Sequence, residues 1–219
     1  MSNTEKSPLK IIRPKLPHQL NTLDLSSAMI DDRTEWIQSV CEEQEISYVT
    51  AEKVLFDQMQ FSHVTFSQVS FPSAELTDVV FTHCDLSNVD FNEAVLHRVR
   101  FEHCKIIGMD LTAATLRNIV FQDCAGDYAT FRFSNMKQVS FENCSLLKSD
   151  FYHSEFTKVE FDRCMLNESQ FSGASLKGID LSNNEFFNLG ATLEDLQGCI
   201  ISPAQAILFT KIFGLVIKE

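Results

Sequence analysis

Five cysteines stand at strict twenty-residue intervals, at Cys84, Cys104, Cys124, Cys144 and Cys164. Three histidines, His63, His83 and His103, keep the same interval and are followed by Asp123, Asn143 and Arg163. Thiolates and imidazoles are the usual ligands of zinc, and paired thiols can cross-link. Both chemistries need convergence. Zinc wants four ligands around one centre, and a disulfide wants facing Cβ vectors. The cysteines fall at an inward position of the repeat described below and the histidines at an outward one, so the two columns diverge. The cysteines then read as small thiols filling a corner of the core. The histidines read as part of a solvated face. No metal and no cofactor is expected.

Carboxylates are the third candidate. Residues 46–198 hold 21 Asp and Glu against 11 Lys and Arg. Asp90, Asp110 and Asp150 share one twenty-residue column, interrupted by Thr130. Glu102, Glu142 and Asp162 share another, interrupted by Gln122. His97, Arg117, Lys137 and Lys177 share a third, interrupted by Thr157. Acid pairs can do hydrolytic work, but only in a cleft. The chain has no long loops to wall one, no Gly-rich phosphate loop, no HExxH and no CxxC. Catalysis is therefore not expected, and the acids read as a partner-binding surface. The net charge of -12 repels nucleic acid and anionic membranes and favours basic partners. The first twenty residues have no apolar signal core, and no apolar run is long enough to span a membrane, so the cytoplasm is expected.

These columns exist because of a shorter period. From Phe56 to Phe186 every fifth residue is large and apolar, with Gly126 the one exception, and fifteen of the nineteen Phe lie on it. The residue two before each is mostly small or apolar. A helix repeats every 3.6 residues and a strand every 2. A period of five with two buried positions requires a chain that turns a corner every five residues. The motif F-x-x-C returns every twenty, so one coil has four sides. Phe61, Phe81, Phe101, Phe121, Phe141 and Phe161 form one rung series of that core, beside the cysteine series. The missing rung at Gly126, beside Asp127, Tyr128 and Arg132, suggests an irregular coil.

The pentads Cys84-Asp85-Leu86-Ser87-Asn88 and Val89-Asp90-Phe91-Asn92-Glu93 resemble the pentapeptide-repeat family. The resemblance implies an all-β fold, a right-handed quadrilateral parallel β-helix, over residues 46–198. Residues 1–20, spaced by Pro8, Pro14 and Pro17, read as an extended arm. Residues 21–45 read as an N-terminal cap, in which Trp36, Ile37, Val40 and Cys41 fit either a helix face or a first coil. Residues 199–219 read as a C-terminal capping helix and short strand. Ser202-Pro203-Ala204-Gln205 is a capping box with Pro at the first helical position. The helix is apolar on more than one face, so a homodimer is expected through Pro203, Ala206, Ile207, Phe209, Ile212, Phe213, Leu215 and Ile217.

The tail, the segment from Gly126 to Phe133 and the spacing Pro14-Lys15-Leu16-Pro17-His18-Gln19-Leu20 are similar to the Qnr-type branch of the family, especially its chromosomal Gram-positive members. That similarity implies a homodimeric mimic of duplex DNA. It would bind DNA gyrase or topoisomerase IV and protect them from quinolones. Some Qnr proteins extrude loops needed for protection, and the unbroken register here has no room for them. The competing expectation is a non-enzymatic scaffold for a partner other than a topoisomerase.

Overall fold

The computed structural model describes residues 9–25, 29–210 and 216. It is a parallel β-solenoid closed by one short helix. The strands β1 (Asn21–Thr22), β3 (Ser39–Glu42), β6 (Gln60–Ser62), β8 (Glu75–Thr82), β9 (Val95–Glu102), β10 (Thr115–Gln122), β11 (Asn135–Glu142) and β12 (Glu155–Asp162) line up in one sheet, which β2 (Glu35–Ile37) and β5 (Leu55–Asp57) join. β4 (Glu45–Thr50) pairs with β7 (Thr65–Ser70) on another side. Register is kept at twenty residues. Phe81 pairs with Phe101, Phe101 with Phe121, and Phe121 with Phe141. About seven coils at roughly 4.8 Å each make a rod on the order of 34 Å long.

The corners explain the five-residue period. Every coil turns through residues with positive φ, such as Gln58 (55°), His63 (55°), Gln68 (54°) and Ser73 (56°). An ordinary residue held there costs roughly 1–2 kcal/mol. Bonds to the next coil hold these corners: the N–H of His83 donates to the carbonyl of Glu102 at 2.9 Å, and that of Tyr128 to Leu147 at 2.8 Å. Between corners, two side chains point in and the rest point out.

Inside, identical side chains sit directly above one another. Rings of Phe81 and Phe101 stack at 5.0 Å, Phe101 and Phe121 at 4.8 Å, and Phe121 and Phe141 at 4.8 Å, all within 5° of parallel. A second stack, Phe131–Phe151–Phe171, rises from the opposite wall at 4.8 Å spacing. The stacks meet edge to face, with Phe121 and Phe131 at 82°. Such geometry suits aromatic quadrupoles. The cysteine column fills one corner. The Cys104, Cys124, Cys144 and Cys164 thiols donate to the carbonyls of Phe81, Phe101, Phe121 and Phe141. Only a protonated thiol can do that. An amide tops the column at each end: Gln44 bonds Leu23 and Leu25, and Asn184 bonds Phe161 and Cys164.

Three expectations are corrected. The solenoid starts before residue 46. Trp36 and Cys41 occupy the five-residue register as strand residues paired with Phe56 and Phe61, and Ile37 points outward, so no helix forms there. Second, the coil at Gly126 is regular. Its N–H bonds Ser145 at 2.7 Å, and side chains of Ile106 and Leu146 close in from both sides until a Cβ would stand 3.1 and 3.0 Å from them. The missing rung is filled by neighbours, so Asp127, Tyr128 and Arg132 mark no change of course. Third, Phe209 is not offered to a partner. In α1 (Pro203–Thr210) it turns inward, 6% exposed, and meets Phe186 at 5.7 Å. Gln205, one turn earlier, donates to the carbonyls of Leu181 and Asn184 and so plugs the last coil. Ser202 and Gln205 form the capping box reciprocally.

Replacing Phe121 by Ala opens a cavity between two stacked rings and is expected to cost about 3–5 kcal/mol in urea unfolding. Replacing Phe133, which is 54% exposed, should change stability by no more than about 0.5 kcal/mol. Equal effects would contradict this account of the core.

Candidate functional site

The outward columns are a regular chemical display, and the fold sorts them by face. The Asp90 column and the Glu102 column lie about half a coil apart, on opposite walls, so they do not form one acidic surface. They also differ in work. Asp90, Asp110 and Asp150 each accept the backbone N–H two residues on, from Asn92, Thr112 and Tyr152 at 2.8–2.9 Å. These short side chains bond their own turns. Asp90 further accepts the Ser70 hydroxyl, and Asp150 lies 3.6 Å from Arg132. That column is largely engaged in holding coils.

The opposite wall is different. Glu102 pairs with Arg100 at 2.8 Å, Glu142 accepts the Ser140 hydroxyl at 2.9 Å, and Asp162 pairs with Arg163 at 3.2 Å. These partners are side chains rather than backbone turns, and the two ion pairs, whose groups keep contact with solvent, are worth about 0–1 kcal/mol each. Glu160 and Asp180 are exposed on the same wall. The basic column occupies the adjoining wall. Burial, then the charge of Arg98, pushes the His97 imidazole below its ordinary value. Its cations at neutral pH are therefore Arg117, Lys137 and Lys177.

His63, His83 and His103 stack as parallel rings 5.0 and 4.9 Å apart. Parallel rings cannot share a metal. Among the described residues no group of three or more metal ligands converges, and no helix is long and apolar enough to cross a membrane. The cysteines of the column are buried and free, and so is Cys41 below Phe61, whose thiol burial pushes up to about 12. Around Gly126, Asp127 accepts from Ser145 and Leu147, Lys148 sits over the Tyr128 ring at 5.6 Å, and Arg132 sits over Tyr152 at 5.1 Å.

One feature escaped the sequence reading. The N-terminal arm lies along the rod, across the coils. Gln138 donates to the Lys10 carbonyl at 2.6 Å, the Ile12 N–H donates to Asn118 at 3.0 Å, the Lys15 N–H donates to Asp78 at 2.8 Å, and Gln58 donates to the Lys15 carbonyl at 3.0 Å. All four solenoid residues belong to one corner column. The signal was a twenty-residue series of amide and carboxylate side chains, beneath an arm kept extended by prolines. Asp78 also holds Arg98 by two bonds of 2.5 and 2.6 Å. Burial pushes its carboxyl up, but the Arg98 guanidinium and the Lys15 N–H outweigh that and hold it below the ordinary carboxylate value.

The family model for the pentapeptide repeat region matches residues 54–131 and 94–171, which together take in more than half of the chain. The chain belongs to the pentapeptide-repeat family. Among solved structures it is similar to a trypsin-treated QnrB1, described as a plasmid-mediated fluoroquinolone resistance protein. That match has 20% identity and a TM-score of 0.56, over 92% of this chain and 99% of that one. Full-length QnrB1 gives 18% and 0.42 over 81% and 100%. HetL of Nostoc sp. strain PCC 7120, a pentapeptide repeat protein involved in heterocyst differentiation regulation, gives 14% and 0.32 over 78% and 90%. These likenesses concern the fold. No curated protein sequence matches the chain.

A carboxyl whose folded pKa is depressed stabilises the fold above its unfolded pKa, about 3.9 for Asp, and loses that contribution as pH falls through the folded value. Asp78→Asn should therefore lower the urea midpoint at pH 7, and the gap from the native chain should shrink below about pH 4. A gap that persists unchanged at about pH 2.5 would contradict the role given to the Asp78 charge.

Proposed function

We propose that this chain is a non-catalytic, homodimeric mimic of duplex DNA. In this reading it acts in the cytoplasm, docking on the DNA-binding groove of a type II topoisomerase, DNA gyrase or topoisomerase IV, and modulating supercoiling. The observation that carries the reading is a rod of stacked coils with the carboxylates of Glu102, Glu142, Glu160, Asp162 and Asp180 one or two coils apart on one wall. A rod on the order of 34 Å spans about one turn of B-DNA. Its net charge of -12 compares with roughly 20 phosphates on that length of duplex. The rod thus carries about half the charge of the ligand it would imitate, enough for a basic groove to steer it in. The wall of Glu102, Glu142, Glu160, Asp162 and Asp180 is the docking face, because Glu102, Glu142 and Asp162 bond the side chains of Arg100, Ser140 and Arg163 instead of backbone turns, whereas Asp180 accepts the Ser182 N–H of its own turn. The fold is shared with QnrB1, a fluoroquinolone resistance protein by its description, and in this reading drug protection is the consequence of docking.

The dimer forms through the outer face of α1. Pro203, Ala206 and Ile207 are exposed there, Ile207 at 57%. Ile212, Phe213, Leu215 and Ile217, expected in the same interface, lie outside the described residues. An isologous contact through the helix makes a rod of double length.

Purified chain at micromolar concentration should inhibit gyrase supercoiling and lower its sensitivity to a fluoroquinolone. Charge reversal of Glu102, Glu142 and Asp162 together should weaken that inhibition at least about tenfold, whereas reversal of Asp90 should act mainly on stability. No effect of the native chain on supercoiling or drug sensitivity would sink the reading, and a pull-down returning another protein would replace it. Ile207→Asp should give a folded monomer in sedimentation. An unchanged dimer would move the interface elsewhere.

A further inference from the structure

The column Gln58, Asp78, Asn118, Gln138 is more than an anchor for one segment. All four of its bonds to the arm go to main-chain atoms: the carbonyls of Lys10 and Lys15 and the N–H groups of Ile12 and Lys15. None depends on an arm side chain. The spacing also fits any extended chain. Five residues of extended backbone, Lys10 to Lys15, cover roughly 16–17 Å, and the three coils from Gln138 to Asp78 cover roughly 14 Å. The groove is real. Asp78, Asn118, Val120 and Ser140 occupy outward positions but are only 4–7% exposed, whereas Lys158 and Glu160, beyond the described arm, are exposed. Ile11, Ile12 and Val120 line its apolar part. The line continues past Leu9 into an open trough of about 780 Å³ bordered by Phe156, Lys158 and Glu160.

We propose that this corner line is a binding track for an extended peptide backbone, with residues 10–15 as its resident and displaceable occupant. Its ligand class is an extended segment with an aliphatic side chain at the place of Ile11. A partner segment enters by trading places with the arm, its main-chain groups taking over the bonds to the side chains of Gln58, Asp78, Asn118 and Gln138. The proposal does not depend on the topoisomerase reading.

The test keeps the folded chain intact until it is needed. A protease site is introduced at exposed His18 and Gln19, and the folded protein is cut there. A labelled peptide of residues 9–17 is then added, and binding is read by fluorescence anisotropy. The cut chain should bind it saturably, and the uncut chain at least about tenfold more weakly because its own arm competes. In the cut chain, Asn118→Ala with Gln138→Ala should weaken binding by about tenfold or more, as two lost hydrogen bonds imply. Circular dichroism of the double variant should remain native. Should that variant fail to fold, Gln138→Ala alone serves, with a loss of several-fold expected. No saturable binding to the cut chain, or binding unaffected by the track substitutions, would overturn the proposal.

Discussion

The structure depends on one constraint: each coil repeats the one before it twenty residues later, in register. Stacking then places like on like. The Phe rings lie parallel at about the strand spacing, the thiols donate to successive carbonyls, and corner N–H groups such as those of His83, Asn88 and Glu93 find a carbonyl in the next coil. The positive φ of four residues per coil is tolerable only because those bonds exist. A single-residue slip would turn the whole inward set outward, so strict spacing is a condition of folding rather than an ornament. The ends lack a neighbour and are closed by other means, Leu25 and Trp36 at one and Gln205 and Phe209 at the other.

The same constraint frees the surface. Inward residues set the fold, so outward columns can vary independently, and each becomes a line of groups about 4.8 Å apart. One line holds the arm, one completes backbone turns with carboxylates, and one presents acids whose partners are only side chains. The arm adds contacts of a different kind. Each coil otherwise touches only its neighbours, while the arm joins coils from Gln58 to Gln138.

Most of the coil was legible in the sequence, because a period of five and a period of twenty leave a plain trace in residue type. Its start was not. Cys41 and Ala51 stand in the register but break the rule of large apolar rungs, and periodicity alone could not admit them. The arm was legible as extended but not as docked, since its bonds join residues 43 to 128 apart and no local pattern encodes them. The capping box could be read because it is local. The inward turn of Phe209 could not, because it depends on where Phe186 ends the stack. The acidic columns were visible as columns. Their opposite placement and the turn-forming use of Asp90, Asp110 and Asp150 emerged only from the geometry.

The central claim is that one acidic wall of this rod takes the place of DNA. The most direct measurement is competition at equilibrium: purified gyrase, labelled duplex DNA and the chain, titrated across a range of salt concentrations. The account predicts that chain and duplex displace one another, and that the affinity of the chain falls as salt rises, since steering between charged surfaces is screened. A chain that binds gyrase while the duplex stays bound, with an affinity indifferent to salt, would contradict it.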